Sequence, residues 1–130
     1  MAQESFGLRR IGQIAVNAHD QKKMTAFYRD TLGLKFLFEA SNMAFFDCDG
    51  IRLMLSGPER PEFDHAPSII YFKVSDIRAA HRELAGRSVR FEGEPHLITR
   101  MPAHELWMAF FRDPENNVLA LMSEVPTAKQ

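Results

Sequence analysis

The side chains with the most chemical reach stand late in the chain. His96 and His104 follow Pro95 and Pro102, Glu105 adjoins the second histidine, and Trp107 comes two residues later. Two imidazoles and a carboxylate brought together can bind a substrate acid, move a proton near neutral pH or hold a metal ion in an atypical site. The local sequence gives neither histidine a partner, so both read equally as surface loop residues. Trp107 reads both as core and as the apolar wall of a site for a flat ligand.

Other chemistry is sparse. His19 precedes a helix start, His65 lies among prolines, and His81 lies beside Arg78 and Arg82; His19 and His81 are read most simply as solvated. Cys48 is the one cysteine, and it has neither a nearby histidine nor a helix N-terminus to make it a nucleophile. It cannot form an internal disulfide, which fits a reducing cytoplasm. No Ser-His-Asp order, glycine-rich phosphate loop or paired-cysteine motif is present. Lys and Arg number 16 and Asp and Glu 17, for a net charge of −1, which removes the electrostatic argument for nucleic acid or an anionic membrane. No apolar run approaches the roughly 20 residues that cross a bilayer, so a cytoplasmic protein is expected.

The elements that must position these residues are written twice. In Gln13 to Asn17, Ile14 and Val16 alternate with Gln13, Ala15 and Asn17 at strand period. Asp20 stands as a helix N-cap, and Met24, Phe27, Tyr28, Thr31 and Leu32 share one helical face before Gly33 ends it. An extended run, Lys35 to Phe38, follows. Met43 to Asp47 and Ile51 to Leu55 flank Asp49-Gly50, a strong hairpin signal. The same order returns with Ile69 to Val74, Asp76 as a second N-cap, Ile77, Ala80 and Leu84 on one face, Gly86, and Val89 to Glu92. Gln13 precedes Asp20, and Ile69 precedes Asp76, by the same offset. A stretch from His96 to Pro102, partly irregular, leads to a strand over His104 to Arg112, a turn at Asp113 to Asn117 and a last strand over Val118 to Met122; Pro126 to Gln130 reads as a frayed tail.

The expectation is an α+β chain with a leader at 1–8 and a single domain at 9–125. Two βαβββ modules, 9–56 and 67–125, are joined by a proline-rich linker at 57–66. An internal repeat of this size implies two modules completing one structure.

F-Y-R-D-T-L-G-L at Phe27 to Leu34, the paired Asp20 and Asp76, and F-F-R-D-P-E-N-N-V-L-A-L at Phe110 to Leu121 resemble the vicinal oxygen chelate superfamily, the glyoxalase, bleomycin-resistance and extradiol-dioxygenase fold. The resemblance spans Arg9 to Glu124. It implies curved mixed sheets forming a cup, often completed by a homodimer, and in members that do chemistry a divalent metal held by His, Glu or Gln from the first and last strand of each module.

Carried over, those positions fall on Gln13, Ile69, Leu53 and Ala120. Three are apolar and hold no cation, so the standard metal is expected to be lost. A register one residue away would put Gly12, Arg52, Ser68 and Leu119 or Leu121 there, which serve no better. Pairing across Asp49-Gly50 groups Phe46 with Leu53, Ala44 and Leu55. The expected cup wall is Phe46, Leu53, Leu55, Ile69 and Trp107, with Gln13 and Asn17 as polar marks, although these side chains could equally fill the cup.

The expected ligand-binding set is therefore Gln13, Asn17, Phe46, Leu53, Ile69, His96, His104 and Trp107. The expected function is binding of a small apolar or aromatic molecule by a homodimer, as in the bleomycin-resistance branch, with no cofactor and no catalytic residue. The alternative is a metal-dependent lyase, isomerase or dioxygenase with zinc, nickel, manganese or iron displaced onto Gln13, His96, His104 and Glu105. A third possibility is a module that only dimerises.

Overall fold

The computed structural model describes residues 6–127. The first module runs β1 (Gln13–Asn17), α1 (Gln21–Ala26), β2 (Lys35–Ala40), β3 (Met43–Cys48) and β4 (Ile51–Ser56), and its sheet has the order β1-β4-β3-β2. The first strand spans Gln13–Asn17, the stretch whose alternation predicts it. Asp20 caps α1, accepting from the Lys23 amide at 3.1 Å. The helix then widens into a π-helical turn over Phe27–Thr31, which the apolar spacing does not announce. Gly33 leaves the helix at φ +78°, where a side chain would be strained. Asp49 and Gly50 both take positive φ and close the tight β3-β4 hairpin, with Cys48 opposite Ile51.

The second module repeats the plan as β5 (Ile70–Lys73), α2 (Ile77–Gly86), β6 (Arg90–Phe91), β7 (His96–Arg100), β8 (His104–Arg112) and β9 (Val118–Pro126). Its sheet runs β5-β9-β8-β6, with β7 also on β8. Asp76 caps α2 through the Ala79 amide at 3.1 Å. The stretch expected to be partly irregular is a strand with a bulge between Leu97 and Thr99. The last strand outruns its expected end. Pro126 still pairs with His104 and the Thr127 amide donates to the Ala103 carbonyl at 3.1 Å, so the chain is ordered past the start of the expected tail; residues 128–130 lie outside the described ones. In both modules the first strand is a sheet edge and runs parallel to the last strand.

Both helices lie on the inner sides of the two sheets, and one apolar core fills the space between. Val16, Phe46, Leu53 and Leu55 join Met24 and Tyr28 in it, and Phe111, Leu119 and Leu121 join Ile77 and Leu84. Burying one such side chain is worth about 1.5–3 kcal/mol. Turning β1 and β4 over by one residue would exchange Ile14, Val16, Leu53 and Leu55 for Gln13, Ala15, Arg52 and Met54, so their register is fixed by the core. Polar groups seal one end. Asp113, fully buried, accepts from the Tyr28 hydroxyl at 2.8 Å, from the amides of Glu115 and Asn117 at 2.9 and 3.0 Å, and from the Asn117 side chain at 2.9 Å. That pairing ties the first helix to the turn of the second module.

Candidate functional site

The inner sides are largely packed, apart from the cleft along β5 and a hollow of about 270 Å³ beside Leu32, Phe72 and Leu84, so most ligand-accessible side chains lie on the outer faces. On the first sheet the register sets Gln13 opposite Arg52, Ala15 opposite Met54, Asn17 opposite Ser56, Phe45 opposite Met54 and Phe38 opposite Phe45. Phe38 and Phe45 lie with centroids 4.7 Å apart and planes tilted by 30°. The Arg52 guanidinium sits 5.3 Å above the Phe45 ring, and its Nε donates to Gln13 Oε1 at 2.8 Å. The Gln13 amide nitrogen reaches toward the Met54 sulfur at 3.7 Å.

This face is not the one expected. Phe46 and Leu53 do pair across the hairpin, but on the inner side, where Phe46 meets the Tyr28 ring at 6.2 Å. Gln13 and Leu53 therefore point to opposite sides of the sheet. Sequence reasoning passed over Phe38, Phe45 and Met54 and named Arg52 only as a fallback. The signal for them was present: α1 must cover the apolar Ile14-Val16 side of β1, which sends Gln13 and everything in register with it outward.

The linker encloses part of this face. Asn17 spends its amide protons on the carbonyls of Phe63 and His65, at 2.7 and 3.1 Å, and so holds the chain down. Beneath lies a hollow of about 250 Å³ lined by Ala15, Asn17, Met54, Ser56, Pro58 and Phe63, among others. Asn17 thus borders the site but serves as a strap for its wall.

On the second sheet the outer face carries Tyr71 and Lys73 of β5, Met108 and Phe110 of β8, Met122 and Glu124 of β9, and His96 opposite Met108. Tyr71 meets Phe110 edge-on at 6.2 Å. His104 is on the same face, four residues and so about 13 Å along the strand from the His96 pairing. Its Nε2 lies 4.0 Å from Glu124, whose carboxyl the Lys73 ammonium, 3.0 Å away, holds below its ordinary range. The His104 Nδ1 is enclosed with no partner among the described residues. Glu105 and Trp107 point the other way. The Trp107 indole packs against the core under the Arg78 guanidinium at 5.4 Å and donates to Glu105 at 3.2 Å. Trp107 is thus not a wall of the outer face, and Glu105 is separated by the sheet from both histidines. Ile69, 40% exposed, meets Leu53 only across a cleft of about 870 Å³ between the free edge of β5 and the inner side of β4.

The Cys48 reading stands, and the readings of His19 and His81 change in detail. Burial pushes the Cys48 thiol up, away from reactivity. His19 is not merely solvated: its ring lies 3.0 Å from Asp64 and 3.1 Å from Glu115, at a hollow of about 570 Å³ between linker and turn. His81 lies over the Phe91 ring at 4.2 Å and meets the Gly93 carbonyl at 3.2 Å.

A family profile described as Glyoxalase/Bleomycin resistance protein/Dioxygenase superfamily matches residues 10–121. The chain belongs to that superfamily. It is similar to the uncharacterized protein YraH of Bacillus subtilis, 28% identical over 123 residues that cover 84% of this chain and 94% of that one. Among solved structures it is similar to TnmS3, an antibiotic binding protein from Streptomyces sp. CB03234, at 21% identity and a TM-score of 0.73 over 95% of this chain and all of that one. It is also similar to a lactoylglutathione lyase from Agrobacterium tumefaciens, at 22% identity and a TM-score of 0.69 over 90% and 95%. The architecture is accordingly the α+β glyoxalase-like fold of this superfamily, although the two sheets of one chain do not close on each other.

The superfamily's metal positions can be tested against these side chains. Gln13 and Ala120 lie on outer faces, Ile69 reaches solvent, and Leu53 is in the core. The residue paired with Gln13 is Arg52, which has no lone pair to give and puts a positive charge where the cation would sit. These four places supply one amide oxygen, already taken by Arg52. They do not fit a divalent metal.

Proposed function

We propose that the protein binds a small apolar or aromatic molecule against the outer face of its first module, in a cup completed by a second copy of the chain and without the superfamily's standard metal. The observation that carries this is the exposed Phe38 ring lying on the buried Phe45, closed at one end by Arg52 and Gln13 and adjoining the hollow under the linker. A monomer gains nothing by displaying Phe38 at 47% exposure and Tyr71 at 42%. Both first strands also leave one edge without a ladder, an invitation to strand pairing. A twofold arrangement that sets the first module of one copy beside the second module of another covers both faces and both edges at once. The large cleft along β5 suits the second copy better than a small ligand, because unpaired backbone lines it.

The similarity to an antibiotic binding protein agrees with a binding role, while the similarity to a lyase means that fold alone does not choose. The displaced-metal alternative requires Gln13, His96, His104 and Glu105 together, and these stand on three different surfaces of one chain. Amide-resolved NMR titration with planar aromatic fragments provides the test. Saturable shifts at Phe38, Phe45 and Met54 are expected. Silence across the outer faces, or a stoichiometric divalent ion retained through purification and released by Gln13→Ala, would overturn the proposal.

A further inference from the structure

Resting on that small-molecule reading, we infer that Arg52 is an anion receptor and that the ligand is an aromatic carboxylate or an equivalent planar anion. The guanidinium is fixed on two sides: Gln13 holds Nε at 2.8 Å and the Phe45 ring lies beneath at 5.3 Å. An arginine tethered through Nε presents its two terminal amino groups as a fork, the geometry that takes both oxygens of a carboxylate. No described carboxylate lies within ion-pair distance of that fork. The nearest candidate by register is Asp47, directly opposite on β3, but it makes no ion pair with Arg52, and its Oδ1 is turned to the hairpin, accepting from the Gly50 amide at 3.0 Å. Most other arginines near an acid pair with it, as Arg29 does with Asp30, Arg87 with Glu83, Arg100 with Glu105 and Arg112 with Glu92. Arg52 is held by a neutral amide instead, so its charge is positioned without a direct ion pair among the described residues.

Its surroundings specify the rest of the ligand. Phe38 and Met54, both packed against the buried Phe45, make an apolar floor beside the fork, and Met54 also lines the hollow under the linker. A ring system lying on that floor with its acid group at Arg52 would satisfy both halves of the site. Beside Gln13, one of the places where the superfamily's metal ligands are expected, this chain supplies a fixed organic cation.

The test uses matched probes, 2-naphthoate against 2-naphthamide and benzoate against benzamide, titrated calorimetrically into the intact protein and into Arg52→Met and Arg52→Lys. The carboxylate of a pair is expected to bind wild type about tenfold or more tighter than its amide, as charge-assisted bidentate bonds require. In Arg52→Met the preference of acid over amide should vanish, and in Arg52→Lys, with charge but no fork, it should fall between. Equal binding of acid and amide to wild type would end the anion assignment while leaving the binding function standing. If both probes weaken together in Arg52→Met, the arginine merely covers Phe45 and the inference fails. If no probe and no fragment engages the outer face, both proposals fall. Thermal unfolding of each variant separates these outcomes from misfolding, which the exposed position of Arg52 makes a small concern.

Discussion

His19 joins three segments that are remote in sequence. Its amide and that of Asp20 donate to the Glu115 carboxylate at 2.8 and 2.6 Å, and its ring lies between Asp64 of the linker and Glu115 of the second module's turn. Hydrogen bonding to Asp64 first, then to Glu115, raises the imidazole pKa above its ordinary 6.5. Burial pushes the Glu115 carboxyl up, but the Asp20 and His19 amides and the His19 ring outweigh it and leave the group below its ordinary value. Asp20 and His65 are the other titratable groups at this hollow. The signs follow from linkage. A histidine whose folded pKa is raised contributes its stability fully below the unfolded value and loses it as pH rises through the folded one; a carboxylate whose folded pKa is depressed contributes above its unfolded value and loses the benefit in acid. Chemical denaturation of wild type and His19→Ala should therefore differ most near about pH 6 and converge toward about pH 9. A gap that stays constant across that window would show the contacts to be electrostatically idle.

At the level of elements, the linker is the part whose order matters most to the site, because it walls the hollow beside Arg52. Asn17 holds it with two hydrogen bonds to backbone carbonyls, and the nearby Glu62 is exposed to proteases. Asn17→Ala should cost about 1 kcal/mol of global stability, yet speed cleavage after Glu62 by a glutamate-specific protease several-fold under native conditions; unchanged cleavage would mean that Pro58, Pro61 and Pro67 order the segment by themselves. Much of the element plan is legible in the sequence, since caps, the hairpin turn and strand alternation are local: Asp20, Asp76, Gly33 and Asp49-Gly50 all act where their types predict. The face of each strand is a different kind of fact. Whether Leu53 or Arg52 shares a side with Gln13 depends on the parallel β1-β4 pairing, a contact across 39 residues of chain, and an error of one position there moves Phe46 and Leu53 from the outer face into the core. Trp107 was illegible for the same reason, because only the pairing of β8 with β7 and β9 shows that it lies on the helix side. The π-helical turn at Phe27–Thr31 has no local signature at all.

For the whole molecule, a core placed between two sheets leaves each sheet with an outer face that a single chain does not cover. The first carries Phe38 and Phe45, the second Tyr71 and Phe110, and the free edges of β1 and β5 lie beside them. If a second copy completes the cup, assembly and binding are linked: a ligand held between copies stabilises the dimer, and dilution weakens apparent affinity. A chain of 14.9 kDa should then sediment as a species of about twice that mass, about 30 kDa, at micromolar concentration. Tyr71→Glu tests the interface without touching the core, because the side chain projects from the outer face and packs only edge-on against Phe110. A buried, unpaired carboxylate at such a contact costs several kcal/mol, enough to shift a micromolar dimer to monomer, while circular dichroism of the variant should stay native. The aromatic probes that engage Phe45 should bind this monomer at least about tenfold more weakly than the dimer, since half of the enclosing wall is gone. Wild-type protein that sediments as a monomer and still binds those probes would place the entire site on one chain and remove the second copy from the function.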